Sequence, residues 1–139
     1  MPRTFALAAV LLAAASGVSA QEASRVTLAF ETGARTGRVM VALYDSEAAW
    51  NANRPVARAR VDAAGEPVAA VFEDLPPGDY GAKSFHDVDG DGEMDINPFG
   101  MPTEPYAFSN NAVGNMGPAS WSRARFAVSG DVAQTIVLR

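Results

Sequence analysis

An all-β fold, an antiparallel sandwich of two sheets with about seven strands, is what the sequence predicts, and three observations predict it. Short apolar runs alternate with a period of two, as half-buried strands require. Turn residues such as Gly, Pro and Asp separate them, and no stretch carries a helical period strong enough for an α/β fold. The chain has 139 residues and no Cys, with 11 Lys plus Arg against 16 Asp plus Glu. This bounds the protein to one small acidic domain held by its core or by a metal.

The first twenty residues, MPRTFALAAVLLAAASGVSA, place Arg3 before an apolar run from Phe5 to Val18 and end in the small residues Ser19 and Ala20. That is the pattern of a secretory signal peptide cleaved after Ala20. The run is shorter than the roughly 20 apolar residues needed to span a bilayer. The expected product, residues 21–139, is a single exported domain, periplasmic or secreted, with no transmembrane segment. A net charge of −5 with no basic run excludes nucleic acid as a partner, because phosphate binding needs clustered Lys and Arg.

The strands follow in order. In RVTLAF, Val26, Leu28 and Phe30 face one way; residues 33–37 then turn the chain into RVMVALY, where Val39, Val41 and Leu43 repeat the pattern. These two runs predict a first hairpin. SEAAWNAN, residues 46–53, predicts a short helical turn over a sheet edge, ending before Pro55. VARARV puts Arg58 and Arg60 on one face and Ala57, Ala59 and Val61 on the other, and with AAGEP and VAAVF predicts a second hairpin with one wet face. After the turn from Asp74 to Gly78, DYGAKSFH is the fifth strand, and ARFAVSG and VAQTIVLR are the last two. Trp121 is expected to open a buried strand, and Trp50 either covers a sheet edge or makes an exposed contact.

Residues 87–120 break this rhythm, since so long a connection is functional or disordered. Met94, Ile96, Phe99, Met101, Tyr106, Phe108, Val113 and Met116 are too many apolar side chains for a disordered tail, which predicts that the loop packs on the sandwich. It also holds the uncompensated charge: no Lys or Arg occurs between Lys83 and Arg123. In DVDGDGEMD, acids at Asp87, Asp89, Asp91, Glu93 and Asp95 alternate with other residues, and alternating acids in a turn converge and repel unless a cation sits among them. Hard oxygen ligands without sulfur or clustered imidazole suit Ca²⁺, with Mg²⁺ fitting less well because it demands a stricter octahedron.

The spacing follows the first half of the twelve-residue calcium loop. Asp87, Asp89 and Asp91 stand at positions one, three and five, Gly92 at the sharp turn, the Glu93 carbonyl at seven and Asp95 at nine. Position twelve, where a bidentate Glu closes the site, is Pro98, and a strand rather than a helix precedes the loop, so this is no EF-hand. A closing ligand must come from elsewhere, with Glu104 nominated first and Asn97 or Asn110 after it. Without the closing Glu the expected affinity is weak, about 10⁻⁴ to 10⁻³ M.

The tract FEDLPPGDYGAKSFHDVDGDGEMDINPFGMPTEPYAFSNNAVGNMGPASWSRARF resembles the bacterial family called domain of unknown function 2141, most specifically from Leu75 to Asn111. That family shows an LPPGxYA-like turn, then HDxNxNGxxDxNxFGxPxEPYGFSNN. The resemblance implies an exported, small, all-β domain with no assigned activity. Gly81 stands where the family often has Ala, and Asp89 and Asp91 where Asn is common. The turn-plus-strand pattern is also similar to Ig-like and transthyretin-like sandwiches, a fold-level analogy.

His86 is the only histidine. It neighbours Asp87 on an extended backbone, so the two side chains point to opposite faces. Catalysis would need a nucleophile such as Ser84 or Ser109, and no nucleophile-elbow motif is present. A hydrogen bond anchoring the loop is the expected role. Zinc is excluded by one His without Cys. Asn97, Tyr106, Ser109, Asn110 and Asn111, with His86, form a possible ligand face, because amides and aromatic rings suit sugars or peptides. The reading is therefore a binding or structural module without turnover, its loop ordered by Ca²⁺, presented to an extracytoplasmic protein or glycan. The alternative is a metal-assisted hydrolase using His86 and the acids.

Overall fold

The computed structural model describes residues 23–139. The signal-peptide expectation therefore lies outside the described residues. Two sheets face each other, as the alternation predicts. The smaller has the order β4-β1-β8, from Ala69–Leu75, Ser24–Glu31 and Val132–Val137. The larger has the order β3-β2-β5-β6, from Ala57–Asp62, Arg38–Tyr44, Gly78–Asp87 and Tyr106–Phe108, with β7, Phe126–Val128, paired to the start of β5.

The inward residues are those the period-two pattern selects. Val26, Leu28 and Phe30 of β1 meet Val39, Val41 and Leu43 of β2, together with Phe72, Tyr80, Ala82, Val128 and Ile136, in one buried core. Burying such a set is the main favourable term in folding, at about 25 cal/mol per Å² of apolar area.

The strand pairings differ from the sequence expectations. Neither expected hairpin forms: β1 pairs with β4 and β8, while β2 pairs with β3 and β5. Consecutive strands instead cross between sheets, four times over, at residues 32–37, 63–68, 76–77 and 129–131. The first two connections lack the two-residue turns that splice neighbouring strands into a hairpin, and their slack spans the roughly 10 Å between layers. The β1–β8 pair is parallel, running from Val26 with Val132 to Glu31 with Val137; every other ladder is antiparallel. The described residues form eight strands rather than seven, because Tyr106–Phe108 inside the long loop forms β6 against Lys83–Phe85.

The short helix α1, Glu47–Ala52, forms where expected. Ser46 caps it by accepting the Ala49 N–H at 3.1 Å, and Asn53 ends it in a left-handed conformation. Trp121 opens a single helical turn, α2, Trp121–Ala124, and not a strand. The two helices carry Trp50 and Trp121 onto the outer face of β5, where they join Tyr44, Phe108, Ala119 and Ala124 in a second buried cluster. Gly81 makes room for them. A Cβ at that position would lie 2.9 Å from Trp121 Cζ3 and 3.0 Å from Trp50 Cζ3.

Candidate cation loop

β5 delivers the loop. Its even-numbered residues Tyr80, Ala82, Ser84 and His86 are buried toward the core, so the alternating backbone sends Gly81, Lys83, Phe85 and Asp87 to the outer face. Asp87 ends that row and is 1% exposed. One carboxylate oxygen accepts the Gly90 N–H at 3.0 Å and the other the Gly92 N–H at 2.8 Å. Both glycines have positive φ, +77° and +84°, which lets the chain wrap tightly around the carboxylate. Asp89 Oδ1 accepts the Asp91 N–H at 3.2 Å, and Asp91 Oδ1 accepts the Glu93 N–H at 2.8 Å. Each of these last two Asx turns occupies one carboxylate oxygen.

Glu104 closes the loop from its far end. It is 7% exposed; Oε1 accepts the Val88 N–H at 2.9 Å and Oε2 the Asp95 N–H at 3.2 Å. The carboxylates form two overlapping groups, Asp87 with Asp89 and Asp91, and Asp89 with Asp95 and Glu104. Within each group one oxygen per residue lies within 4.8 Å of the others. Glu93 joins neither group through its side chain, and Asn97 spends its Oδ1 on the N–H groups of Phe99 and Met101, at 2.9 and 3.0 Å.

The electrostatics follow from this crowding. Burial alone would raise the Asp87 carboxyl, but the Gly92 amide, a hydrogen bond from Asp89 and the Gly90 and Asp91 amides outweigh it and hold it below 3.8. For Asp89 the Asp91 amide favours the ionised form. Desolvation, the hydrogen bond to Asp87 and repulsion from Asp91 and Asp95 prevail, and its carboxyl is raised above 3.8. The ion pairs among the described residues, Arg25–Glu73, Arg35–Glu66 and Arg125–Asp79, all lie elsewhere. The loop's charge is balanced by amide dipoles and by no side-chain cation. Its converging all-oxygen donor set, centred on Asp89, fits a hard divalent ion.

His86 is fully buried, and its Nε2 sits 2.6 Å from the Thr36 carbonyl. A carbonyl only accepts, so Nε2 carries the hydrogen. Nδ1 is buried without a partner. The ring thus ties β5 to the 32–37 connection and has no open approach to solvent. Gly37, at φ +73°, packs beside the Asp87 backbone, where a Cβ would collide with the Asp87 carbonyl.

Of the other residues of the expected ligand face, Tyr106 and Asn111 line one open cavity of about 510 Å³, while Ser109 and Asn110 hold structural hydrogen bonds. Ser109, fully buried, accepts the Ala82 N–H at 2.9 Å and donates to the Ala124 carbonyl at 2.6 Å. Asn110 donates to the carbonyls of Arg123 and Arg125, and Asn111 bridges the Thr135 carbonyl and the Val137 N–H. Tyr106 is 40% exposed and edges against Phe108. The expectation that the loop's apolar side chains pack on the sandwich is overturned for most of them. Ile96, Phe99, Met101, Val113 and Met116 are exposed, Phe99 at 90%, while Phe108 is buried in the second cluster.

No helix among the described residues is long and apolar enough to cross a membrane. No curated protein and no solved structure matches the chain. A family model does match residues 31–136, a span that runs from the end of β1 almost to the end of β8 and holds the whole larger sheet and acidic loop. The chain belongs to the family described as uncharacterized proteins conserved in bacteria, DUF2141.

Proposed function

We propose that the protein is an exported binding module without turnover, whose acidic loop is ordered by Ca²⁺. The observation that carries this reading is the convergence of the Asp87, Asp89 and Asp91 carboxylates with those of Asp95 and Glu104 through the shared Asp89. Asp87, Asp89, Asp91, Asp95 and Glu104 would hold the ion, and the Glu93 carbonyl is the remaining donor the spacing supplies. Bound only by the folded loop, the ion stabilises the fold by RT ln(1 + [L]/Kd), about 1.4 kcal/mol at tenfold excess over Kd. His86 supports a module over a hydrolase, since its ring is buried and Nε2 is committed to the Thr36 carbonyl.

The test is a thermal melt of residues 21–139 in chelator and then with millimolar Ca²⁺ or Mg²⁺. Tm should rise by about 5 °C with Ca²⁺ and by less with Mg²⁺. Asp95→Ala removes a candidate ligand whose carboxylate holds no loop amide, so it should melt like wild type in chelator and lose most of the Ca²⁺ shift. No shift with either ion would overturn the metal reading.

A further inference from the structure

The outer face of the larger sheet carries a second feature, between the tryptophan cluster and the acidic loop. Met40 and Ala42 of β2 and Phe85 of β5 floor an open groove of about 440 Å³, with Arg58 and Arg60 of β3 along one side and Gly92 at one end. The alternation of β3 puts both arginines on this face, and the register sets Arg58 beside Ala42 and Arg60 beside Met40. Next along β2, Met40 pairs with Phe85. Neither guanidinium has a carboxylate partner among the described residues, whereas Arg25, Arg35 and Arg125 all do.

β3 is an edge strand, and charges on an edge strand deter sheet-to-sheet aggregation. That role requires charge alone. It does not require two unpaired arginines beside a half-buried thioether, with a half-buried phenyl ring one strand further on, in a concavity of the size that holds small ligands. Guanidinium groups bind carboxylates through paired, charge-assisted hydrogen bonds, and a phenyl face stacks on the apolar face of a sugar ring. The acids flanking Gly92 repel a second negative charge at the other end of the groove, which excludes polyanions. From this we propose that the groove binds a glycoside bearing a single uronic acid, with its carboxylate on Arg58 and Arg60, its ring over Phe85 and its uncharged remainder toward Gly92.

None of the proposed ligand contacts is made by an acidic side chain, and in chelator the acids flanking Gly92 keep their charge, so the test below is separate from the cation reading. The experiment titrates the protein, in chelator, with 4-nitrophenyl β-D-glucuronide and with 4-nitrophenyl β-D-glucoside, which differ only in carboxylate against hydroxymethyl. Isothermal calorimetry should show the glucuronide binding at least tenfold more tightly. Arg58→Gln and Arg60→Gln should each erode that preference, and the double variant should bind both ligands alike while melting like wild type. Phe85→Leu should weaken both ligands by a similar factor and leave the preference in place. Equal binding of the two glycosides by wild type, no binding of either, or an unchanged preference in the double variant would overturn the proposal. So would displacement of the glucuronide by inorganic phosphate at equal concentration, which would mark a nonselective anion patch.

Discussion

The two ends of one sheet face are closed by opposite means. At the Gly81 end, Trp50 lies against Tyr44, Phe108 and Trp121 with ring centroids 5.3, 5.9 and 5.9 Å apart. The Trp50 indole N–H donates to the Ala119 carbonyl at 3.2 Å. Lys83 lies 4.7 and 4.6 Å from the Tyr44 and Trp50 rings and donates to the Trp50 carbonyl, and burial lowers its ammonium below 10.5. Apolar burial and ring contacts complete this end from the protein's own atoms. At the Asp87 end, buried carboxylates gather amides, the loop's apolar side chains face solvent, and like charges oppose one another. The lesson is that hydrophobic closure leaves nothing over, whereas closure by carboxylates consumes backbone amides and leaves like charges facing one another.

The largest expected break in this comparison comes from Trp50→Ala, which empties the centre of the aromatic cluster. It should cost about 3–5 kcal/mol in denaturant unfolding and leave the Ca²⁺-dependent shift in Tm unchanged in sign. A loss below 1 kcal/mol would mean the cluster contributes little. Next is Gly81→Ala, whose Cβ must displace two tryptophan rings and should cost about 1–3 kcal/mol. An unchanged melt would show that the rings move aside freely.

A smaller effect separates the carboxylates by pH, measured in chelator by denaturant unfolding. The Asp89 carboxyl is raised, so as pH falls from neutrality the folded state takes up its proton first and stability increases. The Asp87 carboxyl is depressed. Its contribution is complete above 3.8 and is lost as pH falls through its lower folded value. Asp89→Asn should remove the initial increase, as should saturating Ca²⁺ in the wild type. Superimposable profiles for wild type and variant would show that Asp89 carries no such strain. The smallest effect belongs to Phe99→Ser: at 90% exposure it should alter stability by no more than about 0.5 kcal/mol. A larger loss would place Phe99 against something in solution.

How much of this was legible in the sequence varies with the range of the information required. Facing was legible, because parity along a strand is local: Val26, Leu28 and Phe30, or Arg58 and Arg60, declare their sides. Pairing was not. Whether β1 joins β2 or β4 depends on how connections 32–37 and 63–68 span two layers, and nothing in their composition states it. The convergence of Asp87, Asp89 and Asp91 is written in their spacing. Glu104 was reachable because one more carboxylate was needed and few remained nearby. The exposure of Phe99 and Met116 was hidden, since the apolar character of a loop residue does not state whether a sheet face lies within its reach. The groove under Arg58 was hidden too: the arginines announced a wet face, but its floor comes from Met40 and Phe85 on other strands.

A single strand carries all of these outer features. From Gly81 to Asp87, over about 20 Å, β5 presents in turn the gap that admits the indoles, the lysine under them, the groove floor and the first acid of the loop. Its opposite side feeds the core and ends in His86. Deleting one residue within β5 would exchange the two sides, turning Asp87 inward and His86 out. A deletion scan should therefore find this strand intolerant along its whole length, even at positions where a point substitution is mild. The same scan should pass through 96–101 with little loss of folding. In this protein, frame along one strand is expected to constrain folding more tightly than the identity of most of its residues.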